Sequence, residues 1–391
     1  MSKIALILTN DWELYGDGSG DYFEVQHKPL ENTLELLRKY GANISVMAEV
    51  LQQLTFKDFG VEHHFAREAS QAWEDIIRST VRQGSDVQLH LHPQWKDAEF
   101  GNGRWKLSMR YWKLSSLSEM NIIALMLKGK NYLESLLKPQ DHLYRCTFFR
   151  AGNYCLQPSD KVIRAMKAAG LKYDTSVTKG LKSDRFYDFR KAHSNILPWH
   201  TDSEDINKPG EKGRGVIEFP IYSESSGDSP ALRKFSPGLY YKLKYGTSIP
   251  HNELEWLKKK DEVKNSRYPR ENRFYKQNIK KSPKFYLDSI YSKNVTQLDY
   301  DQLPATAFIK MLKNILNNKS NHKLFEKGNV LPVIASGHMK DIHNTDNIRL
   351  ILEGIDKELR PDVTYQTLSE AAEYWESGAY ELKNDITKAE K

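Results

Sequence analysis

Apolar positions come in short runs separated by amphipathic stretches, and the two alternate through the first half of the chain. Ile4 to Asn10 reads as a buried strand, and Pro29 to Tyr40 as a helix with proline near its start and Gly41 as its stop. Ala42 to Met47 predicts a second strand and Phe65 to Gln83 a helix closed by Gly84. Asp86 to His92 predicts a third strand, and Tyr111 to Leu137 a mostly helical stretch with one or more breaks. A fourth strand is expected over Arg145 to Phe149. A helix then opens at Pro158-Ser159-Asp160 and ends at Gly170, and a strand follows over Leu171 to Val177. The rhythm returns with Gly215 to Tyr222 (strand), Ala305 to Leu316 (helix), Val330 to Ala335 (strand), Asp346 to Leu359 (helix) and Val363 to Thr367 (strand), before a C-terminal helix. Strand–helix alternation at this spacing implies a parallel sheet covered by helices. About seven units are present, so the expected architecture is α/β, a distorted (β/α)7 barrel.

Between Ser223 and Tyr300 the rhythm breaks into a Lys-, Tyr-, Pro-, Ser- and Asn-rich stretch. It reads as a long insertion on one rim, since unpatterned segments of that length inside a domain are functional or disordered. The expected organisation is one barrel formed by 1–222 and 301–378, an aromatic-rich basic insertion at 223–300, and a polar tail at 379–391.

Charge sharpens this division. The formal net charge is +7, yet 15 Lys and Arg against 6 Asp and Glu fall between Ala231 and Ile290, so the rest of the chain is slightly acidic. A confined basic segment argues for a local feature, such as a grip on an anionic part of a substrate, and against a nucleic-acid partner, for which no recognised module appears. A solvated basic loop is the alternative. No apolar run approaches the ~20 residues that span a bilayer. Only two cysteines occur, Cys146 and Cys155, which offer no disulfide framework. With no signal-peptide pattern at the start, the reading is a cytoplasmic protein.

Five polar clusters stand at strand ends. In Thr9-Asn10-Asp11-Trp12-Glu13, strand alternation sends Asp11 and Glu13 to one side. Two carboxylates there need a cation or a proton between them, unless the segment is simply a loop start with an acidic helix cap. In Val87-Gln88-Leu89-His90-Leu91-His92-Pro93, the apolar residues take one face while His90 and His92 take the other, as two imidazoles facing one ion would. Arg150, after Phe148-Phe149, is placed to enter a cleft and pair a carboxylate. Tyr173-Asp174-Thr175-Ser176-Val177 and Ser336-Gly337-His338-Met339-Lys340 complete the set. The C-terminal ends of strands are where barrel active sites are built.

In order and type, these clusters resemble the polysaccharide deacetylase family, carbohydrate esterase family 4, with its NodB homology domain. The match runs from residue 9 to 338. Two motifs depart from the family pattern: the adjacent Asp-Asp is here Asp11-Trp12-Glu13, and His-x-x-x-His is here His90-x-His92. The resemblance implies a hydrolase of carbohydrate metabolism that removes an acyl group from an amide or ester on a sugar, with the C–N bond of an acetamide as its type. It implies a divalent cofactor, most simply zinc (Co, Mn or Ni as competitors), held by Glu13, His90 and His92, with Asp11 as the alternative carboxylate ligand. By the same carry-over Asp11 is the base, Arg150 keeps it ionised, His338 is the acid, Asp174 tunes a neighbour, and Trp12, Trp95 and Tyr154 meet the carbohydrate. A metal-independent C–N hydrolase of cyclic amides, and a glycan-binding protein without turnover, are the competing readings.

Overall fold

The structure is a computed structural model; it describes residues 2–101, 103–183, 186–226, 236–267, 294–326 and 328–377. Its centre is a nine-stranded sheet. The strands are β1 (Ile4–Trp12), β2 (Ile44–Glu49), β3 (Asp86–Leu91), β4 (Phe148–Ala151), β5 (Tyr173–Asp174), β6 (Trp199–His200), β7 (Ile217–Glu218), β8 (Leu331–Ala335) and β9 (Val363–Tyr365). Their order is β6-β7-β5-β4-β3-β2-β1-β8, with β9 also paired to the start of β1. All pairings are parallel except β6 on β7. Beyond β7 the chain makes a parallel bridge from Ile221 to Ile334 of β8, and Tyr222 N–H donates to Ile334 O at 2.9 Å. The sheet thus curls until its two ends touch, and seven parallel strands surround the interior, as the alternation of segments predicts.

β1 is buried along its whole length, and its Ile4–Leu8 run is the unbroken apolar pattern of a strand covered on both faces. The covering helices follow from spacing. In α1 (Lys28–Lys39) Leu30, Leu34 and Leu37 fall on one side; in α2 (Val50–Phe59) Val50, Leu51 and Phe56 are buried; in α3 (His64–Arg82) Ala66, Ala69, Trp73, Ile76 and Ile77 form the inner stripe. α2 is absent from the sequence reading, because it begins on the residue after β2 and has no separating turn. α4 (Glu119–Leu137) starts later than the apolar pattern does, at the Ser118 cap, whose hydroxyl accepts from Asn121 N–H. α5 (Asp160–Ala169) ends where expected, on Gly170 in the left-handed region, φ 69°.

Near the two ends of the stretch expected to be an insertion, Ser223–Ser226 pairs antiparallel with Asn294–Gln297. Between them α6 (Pro237–Tyr245) and α7 (His251–Arg267) are described; the rest of the basic stretch lies outside the described residues, as does the expected tail at 379–391. Lys260 of α7 donates to Gln302 Oε1 at 3.0 Å, and Lys264 pairs with Asp341. Part of the basic charge is therefore matched to acidic groups of the barrel rather than left facing solvent. α8 (Ala305–Asn317), α9 (Lys319–Glu326), α10 (Asp346–Glu358) and α11 (Leu368–Glu376) complete the layer. Among the described residues no helix is long and apolar enough to cross a membrane.

Candidate metal and acid–base centre

Strand register assembles the centre. Glu49 of β2 lies opposite His90 of β3, and His90 lies opposite Arg150 of β4. Asp11 of β1 bridges to His338, just past β8. Asp174 of β5 is level with Glu218 of β7. Side chains from six strands therefore enter the barrel at neighbouring levels.

His92 Nε2 lies 2.5 Å and His90 Nε2 3.6 Å from Glu13 Oε2. The His90 ring is oriented by its other nitrogen, which sits 2.9 Å from the Arg150 carbonyl. A carbonyl only accepts, so Nδ1 carries a proton and Nε2 is the nitrogen turned to the interior. His92 Nδ1 faces Gln94 Nε2 at 2.9 Å, while Gln94 Oε1 is buried without a partner. Turning that amide over would place Oε1 on a protonated imidazole Nδ1. Both imidazole Nε2 atoms are buried and face Glu13 Oε2, and Glu49 Oε2 is buried without a hydrogen-bond partner. Ligand-type atoms of Glu13, Glu49, His90 and His92 all lie within 4.8 Å of one another. Two imidazole nitrogens and carboxylate oxygens converging on a buried point fit a divalent metal ion. The other Glu13 oxygen is in contact with Lys340.

Asp11 is held by Arg150, Nη1 to Oδ1 at 2.6 Å. The guanidinium is itself fixed: Nε donates to Thr175 O at 2.7 Å, and Nη2 to Thr9 Oγ1 at 3.0 Å and Thr175 Oγ1 at 3.2 Å. Burial pushes the Asp11 carboxyl up, but Arg150, His90 and His338 outweigh it and hold Asp11 below the usual carboxylate range. Glu13 is lowered further, because His92 and Lys340 overcome its burial. Glu49 goes the other way: burial, joined by Glu13, raises it to about 8 against the opposing charge of His90. Burial lowers His92, partly offset by Glu13; for His90 the acids Asp11 and Glu13 overcome burial and raise it to about 8.

His338 is the most accessible member, its side chain 23% exposed. Its Nε2 lies 3.6 Å from Asp11 Oδ2 and its Nδ1 3.9 Å from Asp301 Oδ2. Tyr154 reaches the rim, where its hydroxyl accepts from Gln297 Nε2 at 3.2 Å. Asn153 and Tyr154 both have positive φ, 53° and 55°, a conformation that costs non-glycine residues energy and clusters at functional sites.

The structure brings together Asp11, Glu13, His90, His92, Arg150 and His338, with Tyr154 at the edge. Asp174 is fully buried, accepting from Ser176 N–H at 2.9 Å beside Glu218, and its charge interacts with that of Arg150. Trp12 and Trp95 are not brought to it. Trp12 is 0% exposed and packs on Trp73 and Tyr22; Trp95 is buried against Phe56 and Trp105. The expectation that both meet a carbohydrate is corrected: their rings belong to the core. Glu49, Lys340, Asp299 and Asp301 are members that sequence reasoning did not assign. Asp299 and Asp301 repeat the acid-x-acid spacing of Asp11 and Glu13, and Glu49 is an acid on a strand tip; both signals are present in the sequence.

No family model and no curated protein matches the sequence. Solved structures do resemble it. A probable polysaccharide deacetylase from Pseudomonas aeruginosa aligns over 95% of this chain and 90% of its own, at 11% identity and TM-score 0.42. An allantoinase, Puue, aligns over 96% of this chain and 90% of its own, at 10% identity and TM-score 0.45. A family 4 carbohydrate esterase from Streptomyces lividans, solved with acetate, aligns over 44% of this chain and 62% of its own, at 12% identity and TM-score 0.24.

Proposed function

We propose that the chain is a divalent-metal-dependent hydrolase that removes an acetyl-type acyl group from an amide or ester on a sugar or glycan precursor. The observation that carries this reading is the convergence of two buried imidazole nitrogens with the carboxylates of Glu13 and Glu49, next to an Asp11 kept ionised by Arg150. Glu13, His90 and His92 would hold the ion, with Glu49 the available fourth donor. When bound, a dication of this type lowers the pKa of a water towards ~7 and polarises an acyl carbonyl. Asp11 takes the proton of the attacking water. Arg150 fixes the Asp11 carboxylate and keeps it charged. A backbone N–H beside Tyr154 receives the developing oxyanion. His338, at the accessible edge, protonates the departing amine or alcohol. The resemblance to polysaccharide deacetylases, stated from the ordered motifs, supports the sugar substrate.

The test is metal content of the purified protein, followed by acetate release from acetylated sugars before and after chelation. The expected result is close to one ion per chain, loss of turnover on chelation, and recovery with Zn²⁺, Co²⁺, Mn²⁺ or Ni²⁺. Turnover that survives complete metal removal overturns the metal role. Glycan binding without acetate release under any metal leaves a binding protein.

One observation favours the metal-independent C–N hydrolase as a second reading: Lys340 already supplies a positive charge to Glu13. That reading expects Lys340→Met to abolish turnover on cyclic amides in metal-free protein.

A further inference from the structure

The metal-dependent reaction gives Lys340 no part, yet its ammonium is in contact with Glu13 Oε1 inside the barrel. The lysine side chain is 14% exposed, so solvent screens its charge little. Its place is built by the backbone. After β8, the Gly337 carbonyl accepts from Asp11 N–H at 2.9 Å, and the chain then turns at Met339–Asp341, where Asp341 N–H donates to His338 O at 3.0 Å. Met339 is buried, and Tyr15 Oη donates to the Lys340 carbonyl at 2.9 Å. Tyr15 lies two residues after Glu13, so the same two stretches of chain position the carboxylate and the ammonium. Asp341, the next acid along the chain, pairs with Lys264.

Glu13 is therefore shared. Its Oε2 faces His92 Nε2 at 2.5 Å and His90 Nε2 at 3.6 Å, while its Oε1 faces the ammonium. Arg150 stands in the same relation to Asp11, at 2.6 Å. The two carboxylates of the centre are thus matched one for one by two cations that belong to the chain. A dication entering between Glu13, His90 and His92 meets a like charge already on its anionic ligand. Ligand charge count is one of the quantities that set cation affinity, and an ammonium on the carboxylate subtracts from it.

We propose that Lys340 is a built-in competitor for the ion: its ammonium holds Glu13 and weakens divalent-metal binding, so that the site loads according to the free metal concentration. This deepens the proposed function and rests on its metal site. The experiment titrates Co²⁺ and Zn²⁺ into chelator-stripped protein against a chromophoric competitor, for the parent, Lys340→Met, Lys340→Gln and Lys340→Arg. Lys340→Met is expected to bind either ion about 10-fold more tightly or better. Lys340→Gln should follow it, and Lys340→Arg, which keeps the charge, should gain less. Removing Lys340 also leaves the Glu13 charge buried without its partner. Metal-free Lys340→Met should therefore unfold at a lower temperature and recover more on ion addition than the parent does; Lys340→Gln serves where the methionine variant does not fold without metal. Equal or weaker affinity in Lys340→Met and Lys340→Gln overturns the proposal and leaves the metal site standing. A gain in Lys340→Arg as large as that in Lys340→Met overturns it too, because charge would not be the cause. Binding of no ion by any of the four chains removes the proposal together with the metal reading.

Discussion

Arg150 Nη1 lies 2.6 Å from Asp11 Oδ1, and neither side chain has appreciable contact with solvent. A buried pair is weak evidence for stability, but removing one partner leaves an uncompensated charge that costs roughly 3–5 kcal/mol. Arg150→Met is therefore expected to destabilise the fold by about that amount. Asp11→Asn/Arg150→Met together should be less destabilised than Arg150→Met alone. Urea unfolding of the variants measures both; a double variant no more stable than Arg150→Met removes charge desolvation as the cause.

Asp11→Asn alone keeps the carboxylate's shape and an acceptor oxygen for Arg150, but cannot take a proton. Turnover should fall by about 10²–10⁴, while metal content, which depends on Glu13, His90 and His92, stays near that of the parent. Loss of metal in step with activity would make Asp11 a ligand and Glu13 the base, the assignment that the Asp11-Trp12-Glu13 spacing left open in the sequence.

The legible part of this centre is the part that strand alternation governs. Asp11 with Glu13 and His90 with His92 are period-two pairs, and each pair enters the barrel together. The same rule places Trp12 on the opposite face from its two neighbours, against Trp73 under the helices. Assigning it to a substrate overlooked the alternation that located the acids. Glu49, Asp299 and Asp301 were not assigned because membership here depends on register between strands distant in sequence: Glu49 matters because it pairs with His90. Asp299 and Asp301 return to the barrel from the far end of the insertion, where Tyr300 N–H donates to Ser336 O at 3.1 Å. The seven-strand alternation was readable because it is local. The contact of Ile221 with Ile334 that joins the sheet's ends is not.

Glu218 and Asp174 form a buried acidic pair below Arg150. Burial raises Glu218 well above the ordinary carboxylate range, and Asp174 adds to it; Asp174 is raised by burial as well. A native pKa above the unfolded value means that the folded chain binds the extra proton. The stabilisation is complete below the unfolded pKa, close to 4.5, and declines as pH climbs from there through the raised native value. Glu218→Gln imitates the protonated form, so its stability should fall less between pH 5 and pH 8 than the parent's. Denaturant midpoints across that range test it, and parallel curves would mean that Glu218 is ionised in the fold.

Gly152 sets the position of His92. A Cβ at residue 152 would lie 2.7 Å from the Cδ2 and Cγ atoms of the imidazole and 2.8 Å from Nδ1, closer than real Cβ contacts come. His92 packs with its Nδ1 against Gln94, and Pro93 follows it directly, so the ring has little room to retreat. In Gly152→Ala the imidazole should turn away from Glu13, and outer-shell disturbances of this kind weaken metal sites about 10–100-fold. The barrel itself should persist, because neighbouring Ala151 and Arg150 keep their strand pairing with Leu91 and His90. Competition with a chromophoric chelator gives the affinity, and thermal unfolding of the metal-free variant gives the fold. Gly101→Ala, where a Cβ would meet nothing within 4 Å, is the matched control. An unchanged metal affinity in Gly152→Ala would mean that His92 is not a ligand, and the ion would then have to be held by Glu13, Glu49 and His90.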